Sequence, residues 1–186
     1  YTPYTRSDGG SNAKTLTAAS ILLLAEEGKL KLNDPVQAYL PNYPYRNTIV
    51  WNLITHSVGG LPDYDYFFEK APDTAIVTTS LNLDILNKNK PDLNYSPGTN
   101  FYYDNVGFDL AALVVEKVTG ESYFQFLKKR IFNPLKMDAS FVRPARLADW
   151  KQSRTIGYRY QNDSLRLFDI ADREGFYGGC NIWFTA

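Results

Sequence analysis

Apolar positions along the chain fall into runs set apart by glycine, proline and polar turns. The run over residues 10–28 predicts one helix, with Ser11 as N-cap and Gly28 as the glycine that stops it. Leu16, Ala19 and Leu23 trace its turns. Ala18, Ile21, Leu22 and Ala25 add enough apolar surface to predict burial almost all round. Asp34-Pro35 opens a short helix through Val36 and Tyr39, closed at Leu40-Pro41. Thr48 caps an apolar helix over 49–56 that ends at Gly59-Gly60, and 63–68 reads as an aromatic surface turn. Residues 74–90 give a patchy helix ending before Pro91, and 95–99 give a turn. Residues 105–119 predict an amphipathic helix stopped by Gly120, and 122–132 a further helix halted by Asn133-Pro134. Alternation over 155–160 and 165–168, around a turn at 161–164, predicts a hairpin. No repeat, low-complexity tract or linker divides residues 1–186, which read as a single domain.

Composition narrows the function classes. Twenty basic residues balance twenty acidic ones, so no basic field draws nucleic acid or an anionic membrane. The longest apolar run, around residues 21–25, is too short for a transmembrane segment. One cysteine, Cys180, leaves no internal disulfide and no thiolate metal cluster. One histidine, His56, leaves a serine–histidine triad only if that residue serves it.

Chemistry gathers at the front of the first helix. Ser11 and Lys14, at spacing i, i+3, share a helical face and come within reach of each other. A buried helix that opens with a hydroxyl and an amine needs a reason for the amine, and a serine nucleophile beside its base supplies one. About one S-x-x-K arises by chance in a chain of this length, so the motif needs a partner. Tyr-x-Asn occurs at Tyr45-Arg46-Asn47, Tyr103-Asp104-Asn105 and Tyr160-Gln161-Asn162. The first and third lie in polar turns. The middle copy sits between a Pro97-Gly98 turn and a core helix, which can hold a tyrosine hydroxyl rigidly. A bland reading remains beside it: Asn105 as a helix cap and Tyr103 as a half-buried ring.

With both motifs placed, the chain resembles the serine β-lactamase and penicillin-binding protein superfamily, in its class C branch with the carboxylesterase- and D-aminopeptidase-like enzymes. The segment 30–41 is similar to the family's "KL-LDDPV-KYLP", and 53–64 to "LLTHTSGGLPDY". Residues 97–107 resemble "PGT-F-YSN-G", 132–137 "F-PLGM", and 178–185 "GDGGIYST", all in the family's order. The resemblance implies an α+β fold of the β-lactamase/transpeptidase type, here mainly its helical part with little of the antiparallel sheet. It implies a serine hydrolase acting through an acyl-enzyme on a small-molecule, peptide, ester or β-lactam carbonyl. Ser11 would attack, Lys14 and Tyr103 would share the proton work, and Asn105 would hold the substrate amide. His56 would be structural. No metal or organic cofactor is implied, and the compartment would be extracytoplasmic, periplasmic or secreted.

The chain also departs from the pattern. The family's third motif, K-T-G or H-x-G on a sheet-edge strand, would lie beyond residue 186, and its opening strands before Tyr1. Lys117-Val118-Thr119-Gly120 matches K-T-G only superficially, because it closes a helix. Arg6-Ser7-Asp8-Gly9 replaces a stretch that is usually apolar. The expectation is a domain over 1–186 without the N-terminal strands and the C-terminal sheet and helix, self-associating through its exposed sheet-facing side. The alternative reading is a non-catalytic binding module on the same scaffold.

Overall fold

The structure, a computed structural model, describes residues 2–143, 155–168 and 173–185. Its centre is the helix α5 (Val106–Thr119), in which every residue from Val106 to Val115 is buried. The amphipathic pattern expected there holds only for the last turn, where Glu116 and Lys117 reach outward and Gly120 ends the helix in the left-handed conformation. Helix α1 (Ala13–Glu26) packs on it but is less enclosed than expected. Ala13, Lys14, Thr17, Ser20, Ile21 and Leu24 form a fully buried face, while Leu22 is exposed. Its apolar stripe is therefore one-sided, the usual arrangement for a helix at the rim of a core.

The first helix also starts later than expected. Gly10, with φ of +50°, leads into a single 3₁₀ turn over Gly10–Asn12, and α1 begins only at Ala13. Ser11 is thus not a capping residue, and its hydroxyl is released for other partners. Thr48 does not cap the next helix either. In α2 (Val50–Ile54) the Asn52 side chain reaches back to accept from the Ile49 N–H. The expected helix near Val36 is a single 3₁₀ turn, Val36–Ala38.

Residues expected to form a surface turn instead make α3 (Tyr64–Lys70), capped by Asp63 and anchored by fully buried Phe67. The patchy helix is α4 (Thr79–Asn89), capped by Thr78. Helix α6 (Tyr123–Leu127) is capped by Ser122 and runs into a π-helical turn, Lys128–Phe132.

Three small sheets complete the described part. Strand β1 (Ser7–Asp8), unforeseen in the sequence, pairs antiparallel with β7 (Ile182–Phe184), whose other edge takes β3 (Phe141–Val142). Strands β2 (Val77–Thr78) and β6 (Glu174–Gly175) pair in parallel. Strands β4 (Gly157–Gln161) and β5 (Ser164–Phe168) make the expected hairpin. Its turn is tighter than expected, with Asn162 and Asp163 both at positive φ. The result is mixed α and β, mostly helical. Among the described residues no helix is long and apolar enough to cross a membrane.

Candidate functional site

Three chain segments converge in front of α1. The first is the 3₁₀ turn carrying Ser11, fixed to the small sheet by the Gly9 N–H donating to Ile182 O at 2.9 Å. A Cβ on Gly9 would lie 2.3 Å from the Phe184 ring, so a side chain there would have to push that ring away from the turn.

The second segment is the loop 98–105, held at both ends. The Gly98 N–H donates to Ser57 O and the Tyr102 N–H to His56 O, both at 2.8 Å. The Asp104 N–H donates to His56 Nδ1 at 3.2 Å, and Asp104 Oδ1 accepts from the Gly107 N–H at the start of α5. The His56 ring stacks on the Tyr103 ring with centroids 4.3 Å apart, so the histidine is a support for the tyrosine loop. It lies just past α2 in a left-handed conformation, not inside a helix.

The third segment is Gly178-Gly179-Cys180, laid against α1 and α5. Gly178 O accepts from Thr17 Oγ1 and Gly179 O from Lys14 Nζ, each at 2.7 Å.

Together these segments bring all four candidate residues into one cluster. Ser11 Oγ and Tyr103 Oη are 2.6 Å apart, and Lys14 Nζ donates to Ser11 Oγ at 3.1 Å. Lys14 also donates to Asn105 Oδ1 at 2.7 Å. Asn105 Nδ2 donates to Asp63 Oδ1 at 2.9 Å, which fixes the amide, since a lysine only donates and a carboxylate only accepts. Asn105 stands at the N-cap position of α5, yet its side chain makes no capping bond. The other tyrosines go elsewhere: Tyr45 Oη donates to Pro91 O, and Tyr160 lies exposed on the hairpin with Asp163 as its partner. Ser11 and Tyr103 face solvent while Lys14 is buried behind them.

Electrostatics follow from this layering. Burial works to raise the Tyr103 phenol, but the Ser11 hydrogen bond and the Lys14 ammonium outweigh it and leave it below the ordinary phenol value. Lys14 Nζ lies 5.0 Å from the Tyr103 ring centroid. Burial raises Asp104 to about 6, against the opposing pull of the Gly107 N–H and the Lys14 charge. Burial also lowers His56, with the Lys14 charge acting in the same direction. Asp63, Asp109 and Gly179 support this constellation in roles that the sequence pattern did not reveal, while His56, expected to be structural, supports the tyrosine loop. The signal available was a lone carboxylate, Asp109, inside a ten-residue buried stretch of α5. Among the described residues no three His, Cys, Asp or Glu side chains converge to hold a metal ion.

The beta-lactamase family model matches residues 1–186. The chain belongs to the beta-lactamase family. A penicillin-binding protein of Bacillus subtilis strain 168 is 34% identical over 139 residues, covering 74% of this chain and 31% of that protein. Among solved structures, a penicillin-binding protein from Bacillus halodurans superimposes with a TM-score of 0.83 at 26% identity. It covers all of this chain, which spans 56% of that one. An octameric penicillin-binding protein homologue from Pyrococcus abyssi gives a TM-score of 0.81 at 28% identity, over 99% of this chain and 43% of that one. This beta-lactamase-family chain thus spans between about a third and a little over half of the proteins it resembles.

Proposed function

We propose that the protein is a serine hydrolase that works through an acyl-enzyme on a peptide, ester or β-lactam carbonyl. The single observation that carries this reading is the position of Ser11 Oγ between Tyr103 Oη at 2.6 Å and Lys14 Nζ at 3.1 Å. Lysine has three protons, and here they go to Ser11, Asn105 and Gly179 O. Lys14 therefore occupies one lone pair of Ser11 Oγ, and with Tyr103 as phenolate the serine proton points to the tyrosine.

In the first step Ser11 Oγ bonds to the carbonyl carbon and its proton passes to Tyr103 Oη. The phenolate this requires is favoured by the adjacent ammonium. Collapse of the tetrahedral adduct breaks the bond to the leaving group, which takes the proton from Tyr103. Water then attacks the ester on Ser11, gives its proton to Tyr103, and releases the acid with Ser11 reprotonated. Asn105, held between Lys14 and Asp63, offers an amide to the substrate. Likeness to penicillin-binding proteins favours an amide substrate, an extracytoplasmic location and self-association of the kind named for the octameric homologue. Residues 1–186 serve as the helical part and active-site front of this enzyme.

Turnover of an activated ester and of a D-alanyl peptide by the full-length protein tests the reading. The expected result is turnover by the wild type that falls by roughly a hundredfold or more in Lys14→Ala. Binding of these compounds without any turnover would instead support a non-catalytic module.

A further inference from the structure

Gly178 and Gly179 have no side chains with which to pack, yet Gly179 O is one of the two close acceptors that orient the Lys14 amine. What places that carbonyl must therefore act on the backbone. Two buried side chains do so. Thr17 Oγ1 donates to Gly178 O at 2.7 Å, and Asp109 Oδ1 accepts from the Gly179 N–H at 2.8 Å. We infer that Asp109 is a positioning residue for Lys14, holding Gly179 so that its carbonyl directs the amine at Ser11.

Asp109 is fully buried in α5, where any apolar side chain would suit the core without a desolvation cost. Its Oδ1 accepts from the Gly179 N–H and, at 3.3 Å, from Tyr64 Oη, while Oδ2 has no partner among the described residues. The titratable groups that face it include Lys14 from α1, Tyr64 from α3, Asp104 from the tyrosine loop, Tyr123 from α6, and Tyr177 and Cys180 on either side of the two glycines. Burial holds its acid well above the ordinary carboxylate range, against the pull of the Gly179 N–H, Tyr64 and Lys14. The N–H bond, which an uncharged acceptor also makes, is thus the feature that matters.

The fit around Gly179 leaves no slack for another route. A Cβ there would lie 2.7 Å from Asn105 O and 2.9 Å from Tyr64 Oη. The glycine is clamped between the two residues that flank the site, and Asp109 sets its depth. A displacement of about 1 Å in a reacting group can cost on the order of a hundredfold in rate.

This inference rests on Ser11 being the acylated nucleophile, as proposed above. The test measures phosphonylation of Ser11 in the full-length protein by a fluorophosphonate, which forms the Oγ–P bond with loss of fluoride, as maximal rate and half-saturating concentration, in the wild type, Asp109→Val and Asp109→Asn. Circular dichroism and melting are recorded alongside. The valine variant, which cannot accept from Gly179, should lose about ten- to a hundredfold in maximal rate at an unchanged half-saturating concentration. Asparagine keeps an acceptor oxygen and should restore most of that loss. A folded valine variant phosphonylated within threefold of the wild-type rate overturns the inference. So does an asparagine variant slowed tenfold, and that arm decides the matter if valine prevents folding. Failure of the nucleophile assignment looks different: wild-type label on a residue other than Ser11.

Discussion

Tyr103 Oη lies 2.6 Å from Ser11 Oγ, and Lys14 Nζ holds the same oxygen from the buried side at 3.1 Å. A serine hydroxyl has one proton and two lone pairs; with Lys14 on one lone pair, the proton goes to Tyr103 when the tyrosine is the phenolate that the mechanism requires. Tyr103→Phe keeps the ring that stacks on His56 and removes only the acceptor. Ester hydrolysis by the full-length protein should then fall by roughly a hundred- to ten-thousandfold in kcat, with KM within about threefold. Steady-state kinetics check this, with a melting curve to show that the fold persists.

Much of the site was legible because its parts are local. Ser11 and Lys14 are three residues apart across the start of one helix, and the Pro97-Gly98 turn before Tyr103 singles out one of three Tyr-x-Asn copies. The supporting contacts were not legible, because they join segments remote in sequence: Asp63 with Asn105, Asp109 with Gly179, His56 with Tyr103. In the fold, the hairpin and the long helix after Asn105 followed from period and stop signals. Helix α3 was missed because four aromatics among acidic residues look like surface, while the burial of Phe67 is decided by the rest of the core. Ser11 looked like a helix cap because nothing in the sequence announces a 3₁₀ turn ahead of the helix.

Two glycines of this chain should tolerate alanine differently. At Gly179 the added Cβ meets Asn105 O at 2.7 Å and Tyr64 Oη at 2.9 Å, and such crowding costs about 1–3 kcal/mol. At Gly28 nothing lies within 4 Å, and only the left-handed backbone resists, at about 1 kcal/mol. Chemical denaturation should therefore show Gly179→Ala as the less stable variant, with reduced ester turnover, and Gly28→Ala with turnover near wild type. The reverse order of stability contradicts the packing described for the 178–180 segment.

Asp104 makes stability depend on pH in a defined direction. Its acid rises from 3.8 to about 6 in the fold, so between these values the folded state binds more proton than the unfolded one. Its contribution is fully present below about pH 4 and is lost as pH rises through about 6, up to roughly 3 kcal/mol. Asp104→Asn removes the titration and keeps an acceptor for the Gly107 N–H. Relative to wild type, this variant should gain stability as pH goes from 4 to 7, read as the difference in denaturation midpoints. A difference that stays constant across that range would show that Asp104 titrates as an ordinary surface carboxylate.

The acyl-enzyme on Ser11 is the claim on which the functional account stands, and peptide-level mass spectrometry tests it most directly. Full-length protein is incubated with a fluorophosphonate and, in parallel, with a β-lactam, then digested and mapped. The account predicts one added mass on the peptide containing Ser11, located at that residue, and none in Ser11→Ala. An adduct on another residue, or one that persists in Ser11→Ala, contradicts it.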